Sequence, residues 1–208
     1  MKRNFLRRPL SLGEWAADAL RMVGLVSIVI AAVVFEPTDA GVLALALPAL
    51  LVPRFVGVRA SFDIVYGVTV LVAAWSNVLD LYSSVSWWDL VVHFVCTGVL
   101  AVMVYLGLSR VRVVPDRRGP GSPRRTPLIL TAAIGLALSA LWEMIEWAGW
   151  RFISDDIYVA YQDSIGDMAV GGLGALIGGV LLAYLPLDRP DALPRPEATL
   201  PLNARAEC

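Results

Sequence analysis

The chain has 208 residues, 58% of them hydrophobic and 17% charged, with a mean hydropathy of +0.69. Several apolar runs approach the roughly 20 residues that cross a hydrocarbon core and lack the polar face of a soluble helix, so the composition excludes an ordinary soluble domain. A formal net charge of -1 gives no indication of a nucleic-acid partner, and Cys96 and Cys208 make neither a disulfide framework nor a metal-knuckle spacing.

Met1 to Arg8 is basic and precedes an apolar run, as in a signal peptide, but the further spans favour a retained first helix, with residues 1–10 as a basic tail. Ser11 and Glu14 have the spacing of a capping box and predict a helix from Ser11 to about Phe35, with Glu14, Asp18 and Arg21 as ion-pairing residues of its first turns. Glu36 to Asp39 reads as a turn. Gly41 to Val52 is apolar but short and carries Pro48, which predicts either a thin, kinked span or a re-entrant segment. After a connection marked by Pro53, Arg54 and Arg59, Phe62 to Leu79 is the third span and Leu81 to Ser86 a polar turn. Trp87 to Leu106 is the fourth span and contains Asp89 and the only histidine, His93. Ser109 to Thr126 carries six arginines interleaved with Pro and Gly and reads as a solvated, flexible loop. Pro127 to about Trp150 is the fifth span, with Glu143 and Glu146 near its far end, and Phe152 to Gln162 is a polar loop holding Asp155 and Asp156. Asp163 to Leu185 is the sixth span, and the proline-rich residues 186–208 read as a disordered tail.

The expected fold is therefore all-α: a polytopic membrane helix bundle of about six spans, the second one short, forming a single domain over residues 11–185. Of 17 Lys and Arg, fifteen fall in the two tails, the 53–60 connection or the 109–126 loop; Arg21 lies at the inner end of the first span and only Arg151 on the other side. The positive-inside rule then places both termini and the arginine-rich loop in the cytoplasm. Six of the seven tryptophans lie toward the outer ends, where an aromatic belt would sit.

This topology gives each ionisable residue a depth. Asp89 and His93, Glu143 and Glu146, and Asp163 and Asp167 form three pairs spaced i,i+3 or i,i+4, each presenting two ligands from one helix face at the outer level. Five carboxylates and one imidazole in a low-dielectric setting require relief by a metal ion, by protons or by water. A divalent Mg, Mn, Fe or Zn ion suits such a donor set, while a protonated hydrogen-bonded network and a metal-free acid/base site are the alternatives. Taken singly, each residue has a blander reading: His93 as a satisfied core histidine, Asp163 as a helix N-cap. Gly171, Gly172, Gly174, Gly178 and Gly179 read as close helix packing. No Gly-rich phosphate loop, nucleophile elbow, HExxH or CxxC is present.

The run Leu81-Tyr82 through Trp87-Trp88-Asp89-x-x-x-His93, then Glu143-x-x-Glu146-Trp147, then Tyr161-Gln162-Asp163-x-x-x-Asp167-Met168 with Gly174-Ala175, resembles the YjdF-like bacterial inner-membrane proteins over roughly residues 40 to 185. It is more weakly similar to the VanZ-like proteins, from which Glu146 and the spacing of the last acidic pair depart, so glycopeptide resistance does not carry over. The YjdF-like resemblance implies a multi-pass protein of the bacterial cytoplasmic membrane, and it groups the three motifs as one site.

Three functions follow as expectations. The first is metal-assisted hydrolysis or transfer on a lipid-linked or envelope substrate, with all six residues holding the ion and Glu143, Glu146 or His93 acting as base. The second is a cation or proton transporter, disfavoured because the middles of spans four to six carry no charged side chain. The third is a non-catalytic membrane partner or assembly factor. Lipid is the one partner the composition demands, and the sequence leaves the oligomeric state open.

Overall fold

Ser11 opens the first long helix as its spacing predicts, accepting a hydrogen bond from the Glu14 backbone N–H at 3.3 Å. The reciprocal half of the box shifts by one residue: the Glu14 carboxylate takes the Leu10 N–H at 2.7 Å and also pairs with Arg7. The computed structural model describes residues 1–117, 123–153 and 159–192. Within them a short α1 (Lys2–Phe5) precedes α2 (Leu12–Val34), α3 (Pro37–Val56), α4 (Ala60–Val78), a single turn α5 (Leu81–Ser84), α6 (Trp88–Arg110), α7 (Arg125–Phe152) and α8 (Tyr161–Tyr184). No strand occurs among the described residues, and six of these helices are long and apolar enough to cross a membrane.

The second span corrects the expectation drawn from its prolines. Helix α3 runs unbroken for 20 residues with Pro48 and Pro53 inside it, a length of about 30 Å at 1.5 Å per residue, which matches a hydrocarbon core. It gains its extra length at both ends. Glu36 and Asp39 form a reciprocal capping box with Pro37 at the first helical position, so the expected turn is the helix start. At the other end Gly57 closes the helix at φ +79, a conformation in which an added Cβ would meet Asn4 and Ala192.

Packing divides the spans into two sets of three. Helices α2, α3 and α4 contact one another, α6 and α7 both pack along α8, and α4 and α3 join the sets through α6. The main apolar cluster lies where the sets meet, with Leu50 and Val56 of α3, Phe62 and Tyr66 of α4, and Met103, Tyr105 and Leu106 of α6 all buried. Helix α8 approaches α6 most closely: a Cβ placed on Gly98 would lie 2.7 Å from the Gly174 carbonyl oxygen, so only glycine fits. Lipid chains compete equally well for apolar side chains, and close backbone approach of this kind is what holds membrane helices together.

Two further expectations change at the arginine-rich end. Residues 186–192 are packed rather than disordered, with Asp188 and Arg189 buried and Asp188 bridged to Val58; residues 193–208 lie outside the described residues. In the predicted flexible loop, Arg110 belongs to α6 and the Arg117 side chain is only 5% exposed, and both pair with Asp188, at 3.1 and 3.0 Å. Residues 118–122 of that loop also lie outside the description, as do Asp155 and Asp156. The tail before α2 is likewise ordered: α1 packs on α3, with the Phe5 and Phe55 rings stacked at 4.3 Å. Arg21 does ion-pair as predicted, with Asp18 at 3.0 Å and with Asp63 of α4 at 2.7 Å.

Candidate metal centre

Three helix ends converge away from the arginines. Trp88 and Asp89 open α6, and His93 follows one turn later on the same face, its Nε2 lying 3.4 Å from the Asp89 Oδ1. His93 is buried and Asp89 half-buried. Helix α8 starts at Tyr161, which brings Asp167 two turns in, where it is only 2% exposed. Helix α7 runs the other way and presents Glu143 and Glu146, both half-buried, near its end.

The ligand atoms form two groups that share the imidazole. One atom each from Asp89, His93 and Asp167 lie within 4.8 Å of one another, and the same holds for His93, Glu143 and Glu146. Five of the six residues singled out in the sequence are thus brought together. The sixth, Asp163, is exposed and joins neither group. Its position explains the difference: the N-cap is Ala160, so Asp163 lies in the first turn of α8, where a carboxylate complements the helix dipole without entering the bundle. Arg151, the one cation at this end by sequence, is exposed and lies over the Phe152 ring at 5.5 Å.

Hydrogen bonding leaves this cluster short of donors. Trp142 Nε1 donates to Glu146 Oε1 at 2.8 Å, but Asp167 Oδ1 and Glu143 Oε1 are buried without a partner among the described residues. Burying an uncompensated carboxylate costs several kcal/mol, so these oxygens call for a cation or a proton. Four carboxylates and an imidazole are oxygen-rich donors with one nitrogen, a set that fits a hard or borderline divalent ion.

A second layer of residues was missed by reading charges alone. Thr97, Ser139 and Gly171 stand one turn deeper than His93, Glu143 and Asp167 respectively, and all three are buried. A Cβ on Gly171 would lie 2.8 Å from the Ser139 Oγ and 3.0 Å from the Thr97 Oγ1, so the glycine admits both hydroxyls beneath the acids. Ser139 donates to the Asp167 backbone carbonyl at 3.4 Å. The signal was present as a polar or small residue at i±4 from His93, Glu143 and Asp167. Next to the site, Tyr82 is tied to the Ala73 carbonyl at 3.0 Å and Trp88 to Ser76 at 2.8 Å, which fixes the turn around α5 to α4 and α6.

Six apolar spans enclosing a polar cluster define an all-helical, multi-pass membrane protein. The chain belongs to the family described as Predicted membrane protein (DUF2238), whose model matches residues 19–188 and so takes in every site residue. No curated protein and no solved structure matches the chain.

Proposed function

We propose that Asp89, His93, Glu143, Glu146 and Asp167 bind a divalent metal ion, Mg, Mn, Fe or Zn, at one end of the bundle. The observation that carries the reading is the pair of buried carboxylate oxygens, on Asp167 and Glu143, that lack hydrogen-bond partners among the described residues while facing a shared imidazole group of ligands. Asp163 is left out of the ligand set. A metal bound there would supply Lewis acidity and a more acidic bound water. Around it, His93 and the two glutamates are the groups within reach to accept a proton, and Thr97 and Ser139 support them from below.

The finer reading is hydrolysis or transfer on a lipid-linked or envelope substrate, in a bacterial cytoplasmic membrane protein of the YjdF-like type whose arginine end faces the cytoplasm. What supports a lipid-borne substrate is the flank of the site: Trp142, Met144, Ile145 and Trp147 on α7 are all about half exposed, an apolar face that lipid would cover. Transport of a cation or proton is the weaker alternative. Below the hydroxyl layer Ala101 and Ala175 are fully buried against Gly135, and beyond them only the buried Thr131 hydroxyl follows on that face of α7, with no carboxylate or imidazole to carry a charge among the described residues. A role as a non-catalytic assembly partner would leave the cluster without a task.

The test is thermal melting of the purified protein in detergent, after chelation and with each metal added back. A specific ion at about a hundred times its dissociation constant stabilises by roughly 2.7 kcal/mol. An upward shift for wild type that is absent in Asp167→Asn and Glu143→Gln supports the proposal. Identical shifts in all three proteins would remove it.

A further inference from the structure

A second candidate site lies at the opposite end of the molecule. A cavity of about 470 Å³ opens between the end of α6, the strand of chain after it and the packed segment around Asp188. Arg110, Arg112 and Arg117 line it against Asp116 and Asp188, three guanidinium groups to two carboxylates. Leu106, Val113 and Val114 supply an apolar wall beside them.

The three arginines are not equivalent. Arg110 is used up by the fold: its nitrogens donate to the Val56 and Ala192 carbonyls and to Asp188, at 3.0, 3.1 and 3.1 Å. Arg117 donates to the Leu182 carbonyl at 2.7 Å and to Asp188 at 3.0 Å, yet its Nε is buried with no partner among the described residues, on a side chain only 5% exposed. Arg112 is exposed at the rim, and its backbone is held at φ +63, a conformation that a non-glycine residue adopts at a cost. A buried unpaired guanidinium donor, an exposed guanidinium beside it and an apolar wall are the complement of an anion with an apolar body.

We propose that this cavity binds a phosphate-bearing ligand, the headgroup of an anionic phospholipid or a free phosphate, with Arg112 donating from the rim and the Arg110 and Arg117 guanidiniums supplying positive charge beneath it. Arginine matches phosphate oxygens with its planar fork, and basic pockets at helix ends on the arginine-rich side of a membrane suit anionic headgroups. Two guanidiniums already share the single Asp188 carboxylate, so the ligand's negative charge is compensated before it arrives.

The experiment is a melting titration of the full-length protein in detergent with phosphatidylglycerol, phosphatidylcholine or inorganic phosphate, for wild type, Arg112→Gly and Arg117→Gln. Phosphatidylglycerol should raise the melting temperature of wild type where phosphatidylcholine does not. In Arg112→Gly the midpoint of that titration should move to concentrations on the order of tenfold higher. Its unliganded melting temperature should be unchanged or higher, because glycine accepts the positive φ. Arg117→Gln also breaks the Asp188 pair and could fail to fold, so Arg112 carries the test. An equal effect from inorganic phosphate, with the same dependence on Arg112, identifies free phosphate as the source. Equal responses of wild type and Arg112→Gly, equal effects of the two lipids, or no response to any of the three would overturn the proposal.

Discussion

At the scale of single residues, Asp163 and Asp167 separate the two meanings of an acid at a helix end. They share a face of α8, but one is exposed in the first turn and the other is buried one turn deeper. Asp167→Ala is therefore expected to abolish metal retention, whereas Asp163→Ala should leave it near the wild-type level, as read from metal content after gel filtration. The sequence sets Asp167 one turn deeper than Asp163 but announced both as ligands, because spacing and depth do not report which side chain is buried. Ser139 and Thr97 were legible only once the acids above them were placed. A pH dependence follows from the ligand chemistry. Carboxylates and imidazole bind metal only when deprotonated, so retention should fall as the protein is acidified and recover when the pH is raised again. A metal content unchanged by acidification would contradict ligation by these groups.

At the scale of elements, hydropathy located all six spans, since lipid imposes a length that apolar composition alone satisfies. It misjudged α3, where prolines usually mark breaks. In that helix the capping box of Glu36 and Asp39 starts the element four residues earlier than Gly41, the apolar start, which is Pro37 in the structure. Long-range ion pairs were not legible at all: Asp188 meets Arg110 and Arg117 from 78 and 71 residues away, and such pairs leave no local pattern. Their energetic role is testable. Asp188→Ala leaves two buried guanidiniums facing each other and is expected to cost about 3–5 kcal/mol, measured as a lowered melting temperature, with metal retention unaffected in the protein that remains folded. The α6–α8 contact gives a second test. Gly174→Val would drive methyl groups into the Phe94 carbonyl, and a loss of folded, monodisperse protein is the expected result in size-exclusion chromatography.

At the scale of the whole molecule, charge is sorted to opposite ends. One end holds the arginines, fixed to Asp18, Asp63, Asp188 and Glu14, and the other holds carboxylates and a histidine with no paired arginine among the described residues. Two sets of three helices keep these ends apart, with an apolar cluster between them. The positive-inside rule turns this asymmetry into an orientation: reporter fusions in the 109–126 loop and at both termini should report cytoplasm, and a fusion in the turn after Val78 the opposite side. The central claim concerns the acidic end. Its most direct test is the metal content of the purified wild-type protein by elemental analysis, after expression with Mg, Mn, Fe or Zn supplied in turn, beside Glu143→Ala and Asp167→Ala. One metal held by wild type and lost from both variants is the predicted result. A wild-type protein free of metal under every condition would contradict it.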